Sequence, residues 1–260
     1  MSTEKIIKNH ARVSLTGNWS SIITAGLLFC AVLMLVDCLV YLPTIYFKIV
    51  DTETGNFIKD REWIFNLINL VGYWVILFVS PIINGIFRMA FKTADCGKTE
   101  LTDAFYYFKG IYRYFKTTLI NLFLICTTTL LFYALDVYRY ATILLDSNLK
   151  DGFKFDIITL VLILAMAISV IIKVLIYLVF VHYPLNAYAE DESKSVVKYA
   201  FGYIGFSLRN LWKTIKLIFS FIGWIALCFF VVPAFYVLPY ILVSMSYSAK
   251  WLFTLDRNRG

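Results

Sequence analysis

The two histidines of the chain, His10 and His182, stand in no H-E-x-x-H or related spacing that would put two metal ligands on one helix face, so each reads as a polar residue at an interface. The five cysteines, Cys30, Cys38, Cys96, Cys126 and Cys228, form no C-x-x-C pair. Four of them fall in apolar runs, where a thiol behaves as a small hydrophobe, so neither a structural disulfide nor a zinc site is expected. No glycine-rich phosphate loop follows a strand and no G-x-S-x-G elbow occurs. The expectation is a protein that is not an enzyme, with no metal and no cofactor. Outer-loop carboxylates such as Asp51, Glu53, Asp146 and Asp151 are all that an intramembrane lipid enzyme would have, and they read as solvated.

Two ionisable residues, Asp37 and Lys173, interrupt otherwise apolar runs, and charge at membrane depth marks a functional position by default. Asp37 is expected near the outer leaflet and Lys173 nearer the cytoplasm, their depths differing by roughly 15 to 20 Å at about 1.5 Å per residue. They are not expected to pair. Lys173 snorkels or meets a polar partner such as Asn121, and the functional reading is that one or both face a hydrated cavity. Asn84 lies in a run also interrupted by Asn66, Asn69, Gly72 and Pro81. That pattern fits a kink packed between helices, and alternatively a discontinuous helix lining a substrate path.

The elements that position these residues follow from composition. With 60% hydrophobic and 16% charged residues in 260, the chain has too few charges for a soluble domain and no interval long enough to form one. An all-α integral membrane protein is expected: a six-helix bundle in a single transmembrane domain over residues 1–260. The crossings are placed at about 21–42, 64–91, 118–135, 157–181, 214–232 and 234–253, each near the roughly 20 apolar residues a bilayer requires. The last two form a hairpin without a charge between Leu217 and Ser248, broken at Val231-Val232-Pro233. Small residues at Ser220, Gly223 and Ala226, facing Ser244 and Ser248, are expected to let its backbones approach.

Three basic amphipathic segments precede crossings: Met1–Trp19, Lys92–Thr117 and Ser193–Asn210. In the second, Leu101, Ala104, Phe105, Phe108, Ile111, Tyr112 and Phe115 share one face of an α-helix capped by Thr99. The segments end in Trp19-Ser20-Ser21, Phe115-Lys116-Thr117 and Trp212-Lys213-Thr214, an almost even spacing that suggests three two-span repeats. Any six-span protein with such helices would show a similar rhythm. Seventeen Lys and Arg lie on the side of these segments and six on the other, which places both termini in the cytoplasm. The net charge of +7 is interleaved with apolar spans, so its expected partner is anionic lipid and not nucleic acid. Lys109, Arg113, Lys116 and Lys213 are the candidate lipid-facing cations.

Leu15-Thr16-Gly17-Asn18-Trp19, Ser220-Phe221-Ile222-Gly223-Trp224 and Leu238-Pro239-Tyr240 resemble the bacterial membrane family known as domain of unknown function 975. The resemblance covers nearly the whole chain. The acidic residue and proline usual after the fourth crossing in that family stand here as Ala189-Glu190-Asp191-Glu192, without the proline. The family implies a polytopic bacterial protein and supplies no catalytic residues to carry over. The expected function is a non-catalytic, lipid-associated membrane component of the envelope; the alternative is a small transporter with a polar path near Asp37 and Lys173.

Overall fold

The computed structural model describes residues 3–47, 49, 62–134, 157–190, 192, 195–227 and 231–257. Among the described residues every regular element is helical. Five runs are long and apolar enough to cross a membrane: Trp19–Tyr46, Trp63–Ala94, Ile111–Tyr133, Thr159–Ala189 and Val232–Leu255. The chain divides into two compact units, one of residues 1–121 with 220–260 and one of residues 122–219.

In the first unit, α1 (Thr3–Ser14) carries Glu4 in its first turn and Arg12 in its last, matching the helix dipole. It buries Ile7 and Ala11 on one face and ends where Gly17 adopts φ +85, a left-handed conformation that a side chain would strain. Then α2 (Trp19–Tyr46) pairs with α3 (Glu62–Val79), and α4 (Pro81–Ala94) continues α3 beyond a break at Ser80. A Cβ on Gly72 would lie 2.5 Å from Val40 Cγ2, so α2 and α3 touch there.

The second amphipathic segment is not one α-helix. It divides among the end of α4, a 3-10 helix (Leu101–Phe108) and the start of α5 (Ile111–Ala134). A period of three eclipses residues i and i+3, so Ala104 and Tyr107 turn inward together while Phe105 and Phe108 turn outward. The inward contact is closer than a side chain permits, because a Cβ on Gly85 of α4 would lie 1.9 Å from Ala104 O. Thr99 does not cap this helix. Glu100 holds the cap position, its N–H donating to Asp103 Oδ2 at 3.1 Å.

The unit closes with α10 (Ile222–Leu227) and α11 (Val231–Arg257), and its core joins Ala11, Leu15, Ile22, Ala25, Met89, Ala90, Ala104 and Val243. Alanines at these contacts let helices approach. Ser244, Ser246 and Ser248 are buried on α11, but Gly223 is exposed and an added Cβ there meets nothing within 4 Å. Among the described residues the expected close contact at Gly223 is therefore absent. The predicted crossing at 214–232 is also interrupted: α9 (Leu211–Phe219) stops before Ser220, whose carbonyl accepts from Lys8 Nζ, and α10 starts afresh. Residues 228–230 lie outside the described residues; Pro233 sits in the first turn of α11, where its missing N–H sacrifices no helical bond.

In the second unit, the later part of α5 is followed by α6 (Ile157–Tyr177), a π-helical turn at Leu178–His182, α7 (Tyr183–Glu190), α8 (Val196–Arg209) and α9. Helix thus continues past 181, through Pro184, to Glu190. The wide π turn just before Pro184 relaxes the i−4 contact that makes an internal proline break an α-helix.

Candidate functional site

Two of the sequence-predicted positions meet directly. Pro81 has no N–H to give Leu77 O, its partner one turn back. Ser80 supplies the replacement, its hydroxyl donating to Leu77 O at 2.7 Å, and Tyr114 donates its hydroxyl to Phe78 O at 2.8 Å. Asn121 on α5 then donates to Ser80 Oγ and to Asn84 Oδ1, each at 2.7 Å. All three are buried, with Asn84 0% exposed, and Asn84 Nδ2 has no hydrogen-bond partner among the described residues. Asn121 therefore serves the α3–α4 break as a packing and kink support.

Asp37 lies exposed on α2 and lines an open groove of about 630 Å³ between α2 and α3, together with Tyr41, Phe65, Asn69 and Tyr73. Lys173 is half-buried on α6 in the second unit. The carboxylates Asp51, Glu53, Asp146 and Asp151 lie outside the described residues.

Three of the four basic candidates directly follow the 3-10 helix in the chain. Lys109 is exposed, and Arg113 and Lys116 are half-buried on the first turns of α5. Tyr106 receives Arg88 at 3.6 Å and Arg113 at 4.2 Å from its ring centroid. Lys92 Nζ donates to Asp103 Oδ2 at 2.9 Å. Burial alone would raise the Asp103 carboxyl, but the Lys92 and Glu100 hydrogen bonds and the charges of Lys92 and Arg88 outweigh it and hold the group below the usual carboxylate range. Outward from this frame stand Leu101, Phe105 and Phe108, each 37 to 40% exposed, with Ile111 and Tyr112 more exposed still. Lys213 is exposed on α9.

No family model matches the chain, and neither a curated protein nor a solved structure matches it.

Sequence reasoning missed two polar arrangements. The Gly17-Asn18 turn is one: Asn18 Nδ2 donates to Ser14 O at 3.1 Å and Gly97 O at 3.0 Å, while Oδ1 accepts from Thr99 N at 2.9 Å and Thr99 Oγ1 at 3.1 Å. This buried amide fills all four of its bonding positions and ties α1 to the loop after α4. His10 adds to the tie, its Nε2–H donating to Ala94 O at 2.8 Å while the ring stacks on Tyr247 with centroids 3.9 Å apart. Burial lowers the neighbouring Lys8 ammonium below its usual range, against the opposing charge of Glu4.

The other arrangement follows the π turn. His182, read from sequence as interfacial, is buried at 2% exposure, and its carbonyl accepts from Asn186 Nδ2 at 3.0 Å. Thr214 Oγ1 donates to the Tyr183 hydroxyl at 2.8 Å, and the Tyr199 hydroxyl donates to Ala187 O at 3.3 Å. The available signal was the cluster His182, Tyr183, Asn186 and Tyr188 around Pro184, polar and aromatic side chains crowded at the end of an apolar run.

Proposed function

We propose that the chain is a non-catalytic multi-pass component of a bacterial cytoplasmic membrane, one transmembrane domain that associates with anionic lipid and resembles domain of unknown function 975. It crosses six times, the fifth crossing at about 214–232, and both termini are cytoplasmic. Three two-span repeats organise it. Their support is that α1, the 3-10 helix and α8 each precede a short break and then the next apolar helix.

The observation that carries the reading is the outward edge of residues 101–116. Leu101, Phe105 and Phe108 present apolar surface beside Lys109, Arg113 and Lys116, the combination by which an element lies in the headgroup plane. Each cation near an anionic surface contributes about 1 kcal/mol. The Gly85–Ala104 contact anchors this edge to α4 through backbone. Mass analysis of lipid released from the purified protein tests the proposal: enrichment of anionic over zwitterionic lipid relative to the host membrane supports it, and bulk composition contradicts it.

A small transporter is the second reading, favoured by the groove at Asp37. A path through both Asp37 and Lys173 would also need Lys173 to face water. Single-cysteine labelling at position 173 with a membrane-impermeant reagent tests that requirement.

A further inference from the structure

The α2–α3 groove holds a carboxylate for which neither helix supplies a base. From Trp19 to Tyr46 the only charged side chain is Asp37, and from Glu62 to Val79 it is Glu62, so the two helices contain acids and no base. Among the described residues no Lys, Arg or His stands within ion-pair distance of Asp37.

Its depth follows from α2 and from the helix pairing. At about 1.5 Å per residue α2 is about 42 Å long against about 30 Å of hydrocarbon, which puts Asp37 about 8 Å inside the boundary on the Tyr46 side when α2 is centred. The Gly72–Val40 contact sets Asp37 beside the α3 residues just past Gly72, about 18 Å along α3 from Trp63. Tyr46 and Trp63, 81% and 66% exposed, mark the same interface. Either measure exceeds the reach of an aspartate side chain, which lacks the long stem that lets Lys and Arg snorkel. A phospholipid ammonium, confined to the headgroup layer, does not come down to it either.

Aromatic rings stand along the groove, Tyr41 and Tyr73 nearer this carboxylate than Phe65. Tyr41, Tyr73 and Phe65 line the same groove, with Asn69, whose Nδ2 donates to Phe65 O at 3.1 Å. Carboxylate and π faces together are the chemistry that recognises an organic ammonium or phosphonium, and a volume of about 630 Å³ suits a body of drug size. We propose that the groove binds a lipophilic organic cation taken from the bilayer, with its charge on Asp37 and its apolar body against Tyr41 and Tyr73. This site does not rest on the lipid-charge reading, which concerns other residues.

The test uses the full-length protein in phosphatidylcholine nanodiscs with labelled tetraphenylphosphonium as probe. Saturable binding is expected, weakened at least about tenfold by Asp37→Asn and kept within about threefold by Asp37→Glu. Asp37→Asn removes an unpaired charge, so its melting temperature should equal or exceed that of the parent, which separates loss of binding from loss of fold. Absence of saturable binding, or equal binding by Asp37→Asn, overturns the proposal. Displacement of the probe when phosphatidylethanolamine replaces phosphatidylcholine also overturns it, by assigning the groove to a lipid headgroup.

Discussion

Asn121 donates one amide N–H to Asn84 Oδ1 and the other to Ser80 Oγ, both at 2.7 Å, and so braces the helix break that Pro81 imposes. Removing the donor leaves two buried acceptors short of a partner. Asn121→Leu is expected to cost about 1 to 2 kcal/mol, the upper range for such bonds within membranes. Asn84→Leu combined with Asn121→Leu should cost less than the two single changes added together, since each removes the other's orphan. Thermal unfolding in detergent, run as a double-mutant cycle, measures this. Strict additivity would show that the pair is not coupled.

The Gly85–Ala104 contact predicts a contrast between two glycines. Gly85→Ala forces a Cβ against a backbone carbonyl that no rotamer change can move, and should cost about 2 kcal/mol or more. Gly223→Leu enters open space and should change stability by less than about 0.5 kcal/mol. Melting midpoints of the two variants in one detergent decide it, and a larger loss for Gly223→Leu would contradict the described packing.

Much of this was legible in the sequence, for physical reasons that also mark its limits. Asn84 and Asn121 stand out because an amide among apolar residues requires a partner; that each is the other's partner depends on where Pro81 breaks the helix. Asn121 spends its amide nitrogen on Ser80 and Asn84, neighbours across the break that sequence spacing alone does not bring together. The apolar face Leu101 to Phe115 was read at the α period because sequence periodicity cannot register a Gly85 that draws Ala104 into a 3-10 turn. Gly223 looked like a contact because small residues at helical spacing imply one, whereas Ser220 ends the helix that would have made it. The helix past Pro184 required a π turn, which has no composition signature.

Asp103 predicts the acid limb of stability. Its folded pKa lies below the ordinary value of 3.8, so the Lys92–Asp103 frame stabilises the fold above that value and loses this contribution as pH falls through the folded pKa. Asp103→Asn should lower the melting temperature at pH 6, and the gap from the parent should shrink as the pH is taken below 3.8. A gap that is constant with pH would remove Asp103 from the account.

Cys96 reports the proposed orientation without any added cysteine. It is exposed in the loop after α4, at the end that carries α1. With both termini cytoplasmic, an impermeant maleimide should leave Cys96 unmodified in intact cells and label it once the membrane is opened. Labelling in intact cells would invert the topology.

The claim that residues 101–116 read lipid charge is tested most directly by hydrogen exchange over Leu101–Phe115 in anionic and in neutral bilayers, with Lys109, Arg113 and Lys116 intact or replaced by Gln. Arg113 also stacks on Tyr106, so the neutral bilayer isolates any purely structural effect of the substitutions. Protection should exceed that in neutral bilayers only for the parent in anionic ones, and the triple Gln variant should lose that excess while matching the parent in neutral lipid. Equal protection of parent and variant in both bilayers would contradict the lipid reading and leave the segment a purely structural role.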